Sequence, residues 1–131
     1  MSGSNSSIRT PMARARGFGS AKRGTEHFWA ERVTGVALIP LTFVLVGVLV
    51  FLAGKDHASV LQWLANPLLA IPLVLAIATG THHMKIGMQV IIEDYVHSEP
   101  IKFGALMANT FFSYALGATG AFAVLKIAFG G

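Results

Sequence analysis

The chain has 131 residues, of which 53% are hydrophobic and only 12% charged, about half the charged share of an ordinary soluble domain, and its mean hydropathy is +0.61. So few charges cannot cover a water-soluble surface, and the absence of cysteine excludes disulfides and thiolate-ligated iron–sulfur clusters within the chain. The formal net charge of +4 gathers at the N-terminus beside a hydrophobic run, which reads as a membrane-topology signal and not as a nucleic-acid surface.

Residues 1–25 are rich in Ser, Gly, Ala and Arg, contain no acid, and carry Arg9, Arg14, Arg16, Lys22 and Arg23. They are expected to form a flexible, basic, cytoplasmic segment ahead of a single membrane domain spanning 26–131. No apolar stretch there can act as a secretory signal core, so the first hydrophobic span must direct insertion. The Arg and Ser content also resembles a short organellar transit peptide, but the basic flank of a membrane span accounts for it without one.

Glu26-His27-Phe28-Trp29-Ala30-Glu31-Arg32 mixes rings and charges as headgroup-level segments do, with Trp29 placed for the interface. Beyond it, no Asp, Glu, Lys or Arg occurs from Val33 to Gly54, from Ala58 to Met84 or from Phe103 to Leu125. A helix crossing a bilayer needs about 20 apolar residues, and a water-soluble helix would need a polar face that these runs lack. The first span is predicted over Val33–Ala53, about 31 Å of helix, followed by the polar turn Gly54-Lys55-Asp56-His57. Ser59 to Trp63 is expected to be an interfacial or frayed start, with Asn66-Pro67 opening the second span over Leu68–Ile92. Pro72 permits a bend there without requiring one. After the polar loop Glu93 to Lys102 comes a third span over Phe103–Phe129. Its Ser113, Gly117 and Ala121, at four-residue spacing, offer a stripe for close approach of another helix or a small-residue face toward lipid. The expected fold is all-α, an integral membrane protein with three transmembrane helices.

Orientation follows from basic residues. With the N-terminus inside, the cytoplasmic face receives Arg9, Arg14, Arg16, Lys22, Arg23, Arg32 and Lys102, and the opposite face only Lys55 and Lys126. The positive-inside asymmetry therefore predicts a cytoplasmic N-terminus and a periplasmic C-terminus.

Within the second span stands Thr81-His82-His83-Met84-Lys85-Ile86-Gly87. Polar groups in hydrocarbon cost several kcal/mol unless they meet protein, water or a ligand, about 2 to 7 for an amide or hydroxyl. At 100° per residue, Gly80, His83, Gly87, Val90 and Asp94 fall near one face, with Lys85 on the far side and His82 at the flank. A neutral imidazole suits iron, and glycines a turn either side leave room for a flat macrocycle. Three readings of His83 stand on these residues: a haem ligand, a histidine hydrogen-bonded to a neighbouring helix, or part of a proton path. His82 competes for the first. Lys85 is placed to snorkel toward the loop or to meet a propionate or acidic partner. Tyr95 supplies a phenolic donor at the membrane border, or an aromatic-belt anchor, and Asp94 beside it opposes the helix dipole, which hints at a specific partner. Three spans are too few for a self-contained channel of common type. They suffice for one part of a larger bundle holding a cofactor between subunits, and electrons would have to be brought by partners.

The run His83-Met84-Lys85-Ile86-Gly87-Met88-Gln89-Val90-Ile91-Ile92-Glu93-Asp94-Tyr95-Val96 resembles the signature of the hydrophobic membrane anchor subunit of succinate dehydrogenase, the cytochrome b556 small-subunit family of respiratory complex II. The approach Gly24 to Arg32 and the C-terminal Val124 to Gly131 resemble alphaproteobacterial members, so the likeness covers nearly the whole chain. The resemblance implies half of a heterodimeric membrane anchor bundle in a bacterial inner membrane. It implies as partners a second cytochrome b membrane subunit, an iron–sulfur subunit and a flavoprotein subunit, besides membrane lipids, and no nucleic acid. FAD and iron–sulfur clusters then belong to the partners alone. The resemblance further implies a haem b shared with the partner, one axial ligand coming from the position of His83, and a hydrogen bond from Tyr95 to ubiquinone, the substrate, with Asp94 supporting the quinone site or its proton supply. Arg32 and Gly87 are further candidates for the cofactor region. The chain is thereby expected to act as a subunit of an enzyme and not to be catalytic alone. The alternative is a non-redox helical scaffold or accessory subunit of another membrane complex.

Overall fold

A computed structural model describes residues 10, 12 and 23–130, and among them there are helices and turns but no strand. Four helices follow one another over residues 23–128: α1 (Arg23–Leu52), α2 (His57–Leu64), α3 (Pro67–Tyr95) and α4 (Glu99–Ala128). The basic positions Arg9, Arg14, Arg16 and Lys22, and the flexibility expected of their segment, lie outside the described residues. Three of the helices, over Gly24–Leu52, Pro67–Tyr95 and Glu99–Ala128, are long and apolar enough to cross a membrane, matching the three spans in number and order.

Each span extends as helix beyond its hydrophobic run. α1 begins at Arg23, with Glu26 in its first turn, where a carboxylate complements the unpaired amides and the positive end of the helix dipole. It runs through Pro40, which leaves one carbonyl of the preceding turn without its amide partner. Gly54, with φ of +79°, reverses the chain after α1.

The segment expected as a frayed start is a separate helix, α2. Asp56 caps it: its carboxylate accepts from the Ser59 backbone amide at 3.2 Å and from Ser59 Oγ at 2.6 Å. These two bonds stabilise the ionised form and hold the Asp56 carboxyl below its usual range. Trp63 of α2 meets Phe51 of α1 edge to face, centroids 4.9 Å apart, and Lys55 Nζ lies 4.4 Å from the centre of the Phe51 ring. α2 ends at Leu64, two residues before Asn66, whose side chain accepts from the Leu68 amide at 2.9 Å and caps α3, with Pro67 in the first turn. Pro72 does not interrupt α3.

α3 is the middle of the bundle. It packs on α1 along one side and on α4 along the other, and α1 and α4 make no extensive contact with each other. Val48 of α1 and Ala70, Leu73, Ile86 and Ile92 of α3 are the buried apolar residues. Against this small core stand exteriors such as Phe43, 77% exposed, and Phe111, 66% exposed. Side chains of that size left outward along whole helices require an apolar surrounding, lipid or other chains.

The small-residue stripe faces α3. Ser113 and Gly117 are buried, and a Cβ at Gly117 would stand 2.8 Å from Thr81 Oγ1. A Cβ at Gly120 would stand 3.1 Å from Ile77 Cγ2. Missing side chains therefore set the α3–α4 distance from within the chain.

Candidate functional site

His82 and His83 leave α3 in different directions. His83 is half-buried and turned to α1, its Nδ1 2.9 Å from Thr34 Oγ1. A Cβ on Gly35 would be 3.5 Å from His83 Cε1, in ordinary contact, and one on Gly80 would be 3.9 Å from Leu38. The Gly80–His83 face thus lies along α1. One turn further, Gly87 has no atom within 4 Å of where a Cβ would be, so the seam is open there.

No hydrogen bond reaches His83 Nε2 among the described residues, and no buried side-chain nitrogen or oxygen there lacks a partner. Nε2 is consequently accessible from outside the bundle. His82, by contrast, is exposed and lines a groove between α3 and α4 together with Thr81, Lys85, Ser113, Tyr114 and Gly117.

Lys85 is held on this second side. Its ammonium lies 5.1 Å from the centre of the Tyr114 ring, and its carbonyl accepts from Asn109 Nδ2 at 2.9 Å. A ring face is one of the few partners that stabilise a cation in apolar surroundings, by about 0.5–2 kcal/mol.

At the far end of α3, Gln89 Nε2 donates to Glu93 Oε1 at 2.8 Å. Asp94 and Tyr95 are exposed, Tyr95 by 77%. Neither has a side-chain partner among the described residues. Arg32 is exposed as well, its guanidinium 5.1 Å from the centre of the Phe28 ring one turn earlier. The structure thus brings His83 to α1 and leaves Arg32, Asp94 and Tyr95 exposed, with no side-chain bond to one another among the described residues.

Among the described residues no three His, Cys, Asp or Glu side chains converge as a metal cage. Thr34 was not singled out by sequence reasoning, although a hydroxyl at the start of a charge-free run is itself a signal. Its meeting with His83, 49 positions away, depends on the register of two helices. Asn109 and Tyr114 escaped notice for the same reason.

Fold and site together define a small polytopic helical membrane protein whose central helix, α3, carries polar groups into its seams with α1 and α4 and an exposed Asp94-Tyr95 pair at its end. Residues 6–117 match the family model described as the succinate dehydrogenase/fumarate reductase transmembrane subunit, and the chain belongs to that family. It is 31% identical over 121 residues to the succinate dehydrogenase hydrophobic membrane anchor subunit of Paracoccus denitrificans, covering 92% of this chain and 93% of the relative. To the subunit of the same name from Rickettsia bellii it is 30% identical over 106 residues, 81% of this chain and 85% of the relative. A succinate dehydrogenase membrane anchor subunit of Reclinomonas americana is 30% identical over 82 residues, 60% of this chain and 68% of the relative. No solved structure matches at a significant level.

Proposed function

We propose that the chain is the membrane anchor of a succinate:ubiquinone oxidoreductase, contributing one axial ligand of haem b through His83 and part of the ubiquinone-reduction site through Tyr95 and Asp94. The observation that carries this reading is the placement of His83, Gly87, Asp94 and Tyr95 on one helix of a chain of this family, with His83 Nε2 and the Tyr95 hydroxyl both without a partner among the described residues.

The residues present fit the haem. His83 offers a ring nitrogen accessible from outside the bundle, and the open space at Gly87 lies on the same side of α3. When bound, the haem supplies a one-electron carrier inside the membrane. His83 would hold the haem from this side, a partner cytochrome b subunit would complete the site, and Arg32, exposed on α1, would be available to carboxylates at the membrane border.

Tyr95 lies twelve residues beyond His83, an axial distance of about 18 Å, so the quinone site occupies a level nearer the membrane surface. Reduction adds two electrons and two protons to ubiquinone and converts its carbonyls to hydroxyls. The electrons come from succinate through a flavoprotein and an iron–sulfur subunit docked on the cytoplasmic side. The Tyr95 O–H donates to a quinone carbonyl oxygen and strengthens as charge builds there, while Asp94 supports proton delivery. The N-terminus is cytoplasmic and the C-terminus periplasmic, in keeping with the basic residues.

Replacing Tyr95 by Phe tests the assignment. Succinate–ubiquinone turnover is expected to fall about tenfold or more, the equivalent of one lost hydrogen bond of about 1.4 kcal/mol. Succinate oxidation by a soluble artificial acceptor stays near normal. Equal loss of both activities in an assembled complex would remove Tyr95 from the quinone site.

A further inference from the structure

We propose that Thr34 is a positioning residue for His83, fixing the tautomer and ring plane of the imidazole so that Nε2 keeps its lone pair toward the outside of the bundle. The inference rests on the reading of His83 as an iron ligand, and goes beyond it by assigning a role to a residue on a different helix.

A threonine hydroxyl has one proton to donate and two lone pairs to accept with. Thr34 Oγ1 lies 2.6 Å from the Ala30 carbonyl oxygen and 3.2 Å from that of Glu31. Two oxygens at 2.6 Å need a proton between them, and a carbonyl has none to give. The single hydroxyl proton is therefore committed to Ala30. At the 2.9 Å contact with His83 Nδ1, Thr34 can only accept, so Nδ1 carries the proton and donates it. A neutral imidazole protonated at Nδ1 has its lone pair at Nε2, the nitrogen left without a partner among the described residues.

The same contact orients the ring. Held at Nδ1 by Thr34, the ring loses its freedom to turn about Cβ–Cγ, while Gly35 leaves room for it on the Cε1 side, where an added Cβ would stand 3.5 Å away. A ligating histidine whose other nitrogen donates to a fixed acceptor gains basicity and a defined orientation. Thr42, the other hydroxyl of the charge-free run Val33 to Gly54, is exposed and serves as the matched control.

The experiment uses the assembled complex in native membranes with Thr34→Val, Thr34→Ser, Thr42→Val and His83→Ala. Read-outs are haem retention during detergent extraction, the low-temperature EPR position of the ferric low-spin signal, and the haem reduction potential. Thr34→Val is expected to shift the EPR signal, raise the potential, and weaken haem retention about 10–100-fold. Thr34→Ser restores all three and Thr42→Val changes none. If Thr34→Val does not assemble, Thr34→Cys, whose thiol accepts weakly, reads the same shifts at smaller size. Wild-type EPR, potential and retention in the Val or Cys variant overturn the role of Thr34. Full retention of the low-spin signal in His83→Ala overturns instead the ligand reading on which it rests, so the two failures are distinguishable.

Discussion

His82 and His83 are adjacent in sequence and face different seams of the bundle: His83 meets Thr34 of α1 at 2.9 Å, whereas His82 stands exposed over the groove between α3 and α4. One helical step of about 100° separates their directions, enough to give neighbouring imidazoles unrelated surroundings. Of the two, His83 has one nitrogen anchored and the other accessible, the arrangement of an oriented ligand. His83→Ala should therefore abolish or alter the low-spin haem absorbance of the complex, and His82→Ala should leave it intact. Reduced-minus-oxidised optical difference spectra of the two variants check this, and the reverse outcome would move the ligand to His82.

Gly117 and Thr81 set the spacing of α4 on α3. An added Cβ would be 2.8 Å from Thr81 Oγ1 and 3.5 Å from Thr81 Cβ, and the Thr81 hydroxyl is already bonded to the Ile77 carbonyl at 2.8 Å. Gly117→Ala should destabilise the chain by about 1–3 kcal/mol, the range for overpacking a fitted contact, and Gly117→Val by more. Gly47, with no atom within 4 Å of its Cβ position, should accept Ala without loss. Thermal unfolding of the purified complex followed by circular dichroism separates the cases; equal midpoints for Gly117→Ala and Gly47→Ala would mean that α3 and α4 are not in close contact there.

Topology can be read directly because the chain has no cysteine of its own. Ser98 precedes α4 without a side-chain capping bond, and Lys55 is exposed in the turn after α1, so either position should accept a thiol at little cost. With the N-terminus inside, a membrane-impermeant maleimide should label Ser98→Cys only in inside-out vesicles and Lys55→Cys only in right-side-out ones. Labelling of the opposite pattern reverses the assignment.

Much of the fold was legible because it depends on one-dimensional quantities. The charge-free runs of Val33–Gly54, Ala58–Met84 and Phe103–Leu125 mark three helices, since a bilayer tolerates few alternatives for such stretches. α2 was not foreseen as a helix of its own. With eight residues it is too short to register as a hydrophobic span, and its clearest sign was Asp56, three positions ahead of Ser59. The helical facing of Gly80, His83 and Gly87 could be drawn from the 3.6-residue period, but which helix they face could not. Thr34 joins His83 only through the antiparallel register of α1 and α3, and Tyr114 reaches Lys85 only through that of α3 and α4. The Ser113–Gly117 stripe likewise announced a close contact without saying that its partner is α3 of the same chain.

The most direct test of the redox-anchor account is an absorbance spectrum and subunit inventory of the gently solubilised native complex. The account predicts a low-spin haem b signal in an assembly that also contains a flavoprotein, an iron–sulfur subunit and a second cytochrome b chain. A colourless assembly lacking those partners would contradict it.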